Sequence, residues 1–281
     1  LGIIFLGIRL SFEELIKFGS IAIPLIIICI VGVLILVKLL IKKVPISSKM
    51  SYLIAIGTSV CGATAIVATA PVINAKKSEV AYAIANITLF GVIAMIVYPY
   101  FAEWYFDNDA LKTGLFLGTS IHETSQVAAA GLIYDQQFNS PETLNVATVT
   151  KLIRNTFLVI LIPLFAFLYN RGELKGQNYS ILSIFPYFVI GFIGMIVVRN
   201  IGDQFFTADS NNYGLWVNLI GYLKTLATVF LTMAMAAVGI SINLSELKSM
   251  GYKPFVVGLI AAITVGFISL IYIETLIKFI Y

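Results

Sequence analysis

GTSVCGATAIVATAP, residues 57–71, returns in altered form as GTSIHETSQVAAAG, residues 118–131. Placing Gly57 on Gly118 aligns Gly-Thr-Ser with Gly-Thr-Ser. It then pairs Val60 with Ile121, Cys61 with His122, Thr64 with Ser125, Ile66 with Val127 and Ala68 with Ala129. Both copies concentrate glycine and hydroxyl residues in a chain that is otherwise strongly apolar. Each is followed by a long apolar stretch with a late proline, Pro99 and Pro163. Glycine permits a helix to break, and a broken end leaves backbone groups that need partners. In hydrocarbon such a break must be buried in protein or face water.

The surroundings of this repeat are those of a membrane. The 281 residues are 59% hydrophobic and 11% charged, against about 25% charged in soluble domains. Uncharged apolar blocks occupy 20–37, 80–101, 155–169, 179–198 and 255–273. Several reach or approach the ~20 residues that carry a helix across a ~30 Å hydrocarbon layer. The expected fold class is all-α: a polytopic helical membrane protein with inverted repeats and two interrupted or re-entrant helical segments, forming one transmembrane domain over 1–281. The chain opens as the tail of a helix, without an initiating Met, and is read as lacking some N-terminal helix. A signal peptide is a poor account of these first residues, because no basic region precedes the apolar run. Two cysteines, Cys29 and Cys61, do not make a disulfide framework. A net charge of +4, scattered, does not make a nucleic-acid surface.

Basic residues then assign sides. An amphipathic connector at 9–19 leads to a span at 20–41, closed by Lys38, Lys42, Lys43 and Lys49, which places that end in the cytoplasm. Lys76 and Lys77 follow the first copy and are basic again. If 51–73 turns back near Cys61-Gly62, both flanks stay inside. A span at 79–101 leads to the acidic loop Glu103, Asp107 and Asp109, and the second copy, 112–134, turns back from that side. Further spans are read at 144–169, 179–198, 213–240 and 254–277. LGIRLSFEEL, 6–15, also matches VGISINLSEL, 238–247. The repeated elements are thus 51–102 with 112–169, and 1–41 with 233–278. Inverted repeats with interrupted helices are a common construction of secondary transporters.

Candidate chemistry gathers on the repeat. Thr58, Ser59, Thr119 and Ser120 offer hydroxyls beside Cys61 and Gly62, or else they serve close helix packing. His122, Glu123 and Gln126 form the densest polar cluster in any apolar segment; His122 is the only histidine. A carboxylate inside a membrane needs a partner or a proton, so Glu123 is a coupling candidate. Lys151 and Arg154 lie three apart, on one helix face, and Lys224 sits similarly deep in a later span. Three buried cations against one carboxylate favour an anionic substrate, while the competing reading pairs Glu123 with Lys151 or Arg154 structurally. Asn86 and Thr88 occupy the corresponding place after the first copy and are read as pathway residues. No metal ligand set and no cofactor site is expected. An intramembrane enzyme using Cys61 or His122 is the reading from another class, against which no nucleophile–base–orienter set is visible. A receptor is disfavoured by the lack of a sizeable soluble region.

At these motifs the chain resembles the YeiH-like family of bacterial inner-membrane proteins, labelled sulfate exporters. The resemblance rests on LGIIFLGIRLSF (1–12), SVCGATAIVATAPVINA (59–75), GTSIHETSQVAAAG (118–131) and KLIRN (151–155), and covers essentially the whole chain. It implies an inner-membrane protein with about two further helices before residue 1, related to the broad antiporter and bile-acid-symporter superfamily. Thr124-Ser125 depart from the Val-Ala or Val-Val usual there, and the basic loop at 42–49 is short. The expected function is secondary transport of a small anion such as sulfate or an organic sulfonate, by alternating access. The alternative is proton- or sodium-coupled transport of another organic anion through Glu123 and His122. Expected partners are that anion, a coupling proton or sodium ion, the lipid bilayer, and further copies of the chain in a homo-oligomer, with no nucleic acid.

Overall fold

The computed structural model describes residues 1–40, 43–169, 187–207, 212–241 and 251–280, and its regular elements there are helical. A short α1 (Gly2–Leu6) and a 3-10 turn (Gly7–Arg9) precede α2 (Phe12–Leu40). Residues 12–19, read from the sequence as a connector, are the first turns of α2 instead. No proline interrupts the chain before Pro24, and Phe18, Leu25 and Cys29 bury in one core. At 29 residues α2 is about 44 Å long.

The two repeat copies fold as helix–break–helix units. The first consists of α3 (Ser48–Ser59), a break at 60–62 and α4 (Ala63–Thr69). Ser47 caps α3, its Oγ accepting from Met50 N at 3.1 Å, which satisfies one of the free amides of a helix start. Gly62, at φ +64 and ψ −124, makes the turn, a conformation open to glycine and costly for other residues. The unit folds back on itself: a Cβ on Gly57 would lie 2.8 Å from Ile66 Cδ1 of α4. Its two ends also meet, Lys49 Nζ donating to Asn74 O at 2.6 Å and Ser47 Oγ to Glu79 Oε1 at 2.5 Å.

The long helix α5 (Lys77–Phe106) then leads to the second unit. It comprises α6 (Ala110–Ser120), a break at 121–123 and α7 (Thr124–Phe138). Its ends also return to one place: Tyr134 OH, late in α7, donates to Glu103 Oε2 at 2.5 Å, late in α5. Next come α8 (Pro141–Thr156) and α9 (Leu158–Tyr169). The sequence reads 144–169 as one span; in the structure Phe157 separates two helices, its amide turning to Arg154 O and Asn155 O. The remaining described helices are α10 (Tyr187–Phe205), α11 (Tyr213–Ser241) and α12 (Tyr252–Ile280). Residues 179–186 of one expected span, and most of 238–247, lie outside the described residues.

Among the described residues four helical stretches are long and apolar enough to cross a bilayer: Leu15–Leu40, Lys77–Phe106, Pro141–Ile162 and Tyr252–Thr275. Pro141–Ile162 is the central one, 71% buried against 39–50% for the others. It packs against α2, α6 and α7, while α12 covers α2, α3 and α6. The aligned glycines make this closeness attainable. A Cβ on Gly118 would meet Thr150 Cβ of α8 at 2.7 Å, as one on Gly57 would meet Ile87 Cδ1 of α5 at 2.2 Å. Outward-facing apolar side chains such as Ile35, Ile96, Ile160 and Phe267 cover the periphery, as expected of a lipid-facing surface. Trp104, 78% exposed near the end of α5, fits an interfacial anchor.

Candidate functional site

A helix leaves its last carbonyls without intrahelical partners. At the end of α3, Ile56 O accepts from Val60 N and Gly57 O from Gly62 N. The next three carbonyls go to α8. Arg154 Nε donates to Ser59 O at 2.7 Å, Arg154 Nη2 donates to Thr58 O, and Lys151 Nζ donates to Val60 O at 2.7 Å. The end of α6 is served by the same two side chains. Arg154 Nη1 donates to Thr119 O at 2.5 Å, and Lys151 Nζ to Ile121 O and His122 O at 2.9 and 2.5 Å. Lys151 and Arg154 are both 0% exposed.

This arrangement explains how two cations are tolerated in the core. A buried charge costs several kcal/mol unless it is well paired. Among the described residues neither cation has a carboxylate within ion-pair distance. The counter-charge is the two helix C-termini, each equivalent to about −0.5 of an elementary charge. Lys151 has three N–H donors and makes three hydrogen bonds. Lys151 and Arg154 are thus the tie between the two breaks, and the carbonyls they bind have a first claim on their donors.

Glu123 holds the other side of the breaks. Its Oε1 accepts from Thr88 Oγ1 at 3.2 Å, and the Ala63 amide at the start of α4 also donates to the carboxylate. A Cβ on Gly62 would lie 2.5 Å from Glu123 Cγ. One carboxylate thereby touches the N-terminus of α4, the N-terminus of α7 and the middle of α5, where helix dipoles favour negative charge. Gln126 secures the arrangement: its Oε1 accepts from Glu123 N at 3.3 Å and its Nε2 donates to Thr88 O at 3.2 Å. Asn155 Nδ2 donates to Thr124 Oγ1 at 2.9 Å, fastening α7 to α8.

Several buried polar atoms around the breaks have no protein partner: Thr58 Oγ1, Ser59 Oγ, Ser120 Oγ, His122 Nδ1, Thr150 Oγ1 and Asn155 Oδ1. Ser59 and Ser120 are equivalent in the sequence repeat. Buried polar groups are ordinarily satisfied, so this concentration marks the breaks as the place where a polar guest, water or solute, fits. Cys61 is a buried free thiol beside them. Thr119 turns elsewhere, its Oγ1 lying 2.7 Å from Ser269 Oγ of α12 and donating to Leu115 O.

Of the sequence-predicted residues, Thr58, Ser59, Cys61, Gly62, Ser120, His122, Glu123, Gln126, Lys151, Arg154 and Thr88 come together here, with the backbone of Thr119. Asn86 does not: its Nδ2 donates to Pro254 O at 3.1 Å, joining α5 to α12. Lys224 lies with Arg9, Arg199 and Asp203, apart from the breaks. Asn155 and Thr124 also lie at the breaks; the sequence offers Thr124 as one of the repeat's hydroxyls and Asn155 as a weaker polar candidate.

Comparison with known proteins gives the family. A family model described as Conserved hypothetical protein 698 matches residues 1–258. A UPF0324 membrane protein of Fusobacterium nucleatum is 34% identical over 274 residues, covering 95% of this chain and 78% of its own. One from Streptococcus agalactiae is 34% identical over 256 residues, 91% of this chain and 73% of its own. The UPF0324 inner membrane protein YeiH of Escherichia coli K12 is 32% identical over 268 residues, 92% and 70% respectively. No solved structure matches. With its central helices buried and its apolar spans facing outward, the chain belongs to the UPF0324 (YeiH) family and is a multi-pass inner-membrane protein.

Proposed function

We propose that the chain is a secondary transporter of a small anion, such as sulfate or an organic sulfonate, worked by alternating access around the two helix breaks. The observation that carries this reading is the set of unpartnered polar atoms, Ser59 Oγ, Ser120 Oγ, Thr58 Oγ1 and His122 Nδ1, buried where both repeat copies break. In this reading each unit is a re-entrant hairpin. α3 has 12 residues and α6 has 11, about 18 and 16 Å long, so each reaches roughly half-way through a ~30 Å layer. The 30-residue α5 separates them, long enough at about 45 Å to carry the chain across. The hairpins then enter from opposite faces and form an inverted pair, an architecture that places substrate at the midplane.

Lys151 and Arg154 act here as the hinge post, holding the ends of α3 and α6 together. The hydroxyls and the imidazole hydrogen-bond the anion. Glu123 supplies coupling. An anion arriving beside an ionised Glu123 is repelled, so a proton carried on Glu123 accompanies the anion. This second element is favoured by the placement of Glu123 between α4, α5 and α7. The test is flux in proteoliposomes containing the purified protein, with labelled sulfate and a labelled sulfonate as probes. Uptake above that of protein-free liposomes is expected. It should be lost in the Ser59→Ala/Ser120→Ala double variant at unchanged thermal stability. Absence of flux with sulfate, sulfonates and carboxylates alike overturns the anion reading.

A further inference from the structure

The ligand set around Lys151 is that of a small monovalent cation. Three backbone carbonyl oxygens, of Val60, Ile121 and His122, converge on Nζ at 2.5–2.9 Å. They come from two separate helix–break–helix units, at the C-terminal ends of α3 and α6 where each break begins, and there the helix dipoles concentrate negative potential. Carbonyls at half-helix ends are what sodium-coupled carriers use to hold their ion, and hard oxygen donors suit alkali ions and ammonium alike. No water is needed to fill the lysine's valence, since its three donors match three acceptors. The aliphatic stem of Lys151 enters from α8, and the side chain is fully buried.

We propose that the two helix breaks form a monovalent-cation site whose occupant is the chain's own Lys151 ammonium, a tethered ion in place of a dissolved one. The hairpin ends are then held together without a free sodium ion. Removing the side chain beyond Cβ opens the carbonyl cluster to small cations from solution. The neighbouring guanidinium of Arg154 opposes entry, but its charge is already shared among Thr58 O, Ser59 O and Thr119 O. Binding in the millimolar range is therefore expected rather than tight capture. The inference does not rest on the transport reading: a chain that moved no anion would leave it intact, because the test reads stability.

The experiment measures the melting temperature of the detergent-purified protein in sodium, ammonium or choline chloride at matched ionic strength. Wild type is expected to melt at one temperature in all three. Lys151→Ala should melt lower in choline. It should then gain a saturable shift of at least about 2 °C with sodium or ammonium. Lys151→Met, which keeps the volume and leaves no room for an ion, should melt lower in every salt without regaining stability. If Lys151→Ala is too unstable to purify in choline, its monodisperse yield from membranes solubilised in each salt is read instead. A yield restored by sodium or ammonium supports the proposal. Equal behaviour of Lys151→Ala in all three salts overturns it, as does an equal response of Lys151→Met or a sodium-specific shift of wild type.

Discussion

Lys151 and Arg154, one turn apart on α8, each bind a pair of carbonyls that the sequence repeat makes equivalent. Arg154 takes Thr58 O and Thr119 O; Lys151 takes Val60 O and Ile121 O. Two copies of one motif thus present matching broken ends to one helix, and two adjacent cations serve both.

That relationship makes Arg154 a stability residue before it is anything else. Arg154→Ala leaves the carbonyls of Thr58, Ser59 and Thr119 buried without donors, and each such group costs about 1–3 kcal/mol. A loss of about 3–5 kcal/mol is expected, the range for breaking a buried charge from its partners. Arg154→Lys, with a point charge in place of a fork, should recover part of it. Thermal unfolding in detergent checks this. An alanine variant that melts like wild type would remove Arg154 from its structural role and return it to the list of direct anion ligands.

Gly62 offers a contrast within one residue type. Its φ of +64 disfavours any side chain, and an added Cβ would press on Glu123 Cγ at 2.5 Å. Gly62→Ala should cost about 1–3 kcal/mol from backbone strain alone and displace the carboxylate. Gly194, inside α10, has nothing within 4 Å of a built Cβ. Gly194→Ala should be neutral or stabilising by up to about 1 kcal/mol. The two melting temperatures are to be compared on the same preparation, and equal shifts would contradict the geometry assigned to the turn.

In the proposed transport cycle Glu123 connects the site to pH. Wild-type sulfate uptake into proteoliposomes should rise when the outside is made acidic, because the protonated carboxyl admits the anion. Glu123→Gln keeps the shape and cannot ionise, so its uptake should be insensitive to the gradient. Thr88→Val, which removes one donor to Oε1, should cost about 1 kcal/mol of stability and move the pH response without abolishing it. Uptake by Glu123→Gln that still follows the proton gradient assigns coupling to another group.

Much of this was legible in the sequence, for identifiable reasons. Gly-Thr-Ser at 57 and at 118 located both breaks, since glycine and short hydroxyl residues stand out against apolar helix. The basic residues Lys49, Lys76 and Lys77 flank the first unit in the sequence, and in the structure Lys49 reaches Asn74 O across it. The partners of Lys151 and Arg154 were not legible. A formal count sets three cations, Lys224 included, against one carboxylate and reads free positive potential, whereas the charge facing Lys151 and Arg154 is the helix ends, which carry no ionisable residue. Asn86 and Thr88 show a second limit. Two residues on a helix differ by about 200° in direction, so one faces the breaks and the other faces α12, and a repeat alignment good to a residue or two does not distinguish them. Lys224 was placed by depth alone, which says nothing about the face it occupies.

The hairpin topology has a direct labelling test. Ser48 and Lys77 flank the first unit and are exposed; Asp107 and Gln137 flank the second and are exposed as well. The native thiols, Cys29 and Cys61, are buried, so single cysteines introduced at the four positions report with little background. A membrane-impermeant maleimide should label Ser48→Cys and Lys77→Cys from one face in vesicles of defined orientation. It should label Asp107→Cys and Gln137→Cys from the other. The 12 residues of α3 span only about 18 Å, and the chain must return for Lys49 to reach Asn74 O. A crossing segment would instead put positions 48 and 77 on opposite faces. Labelling of that kind would end the inverted-hairpin reading and, with it, the proposed placement of Glu123 beside a midplane substrate site.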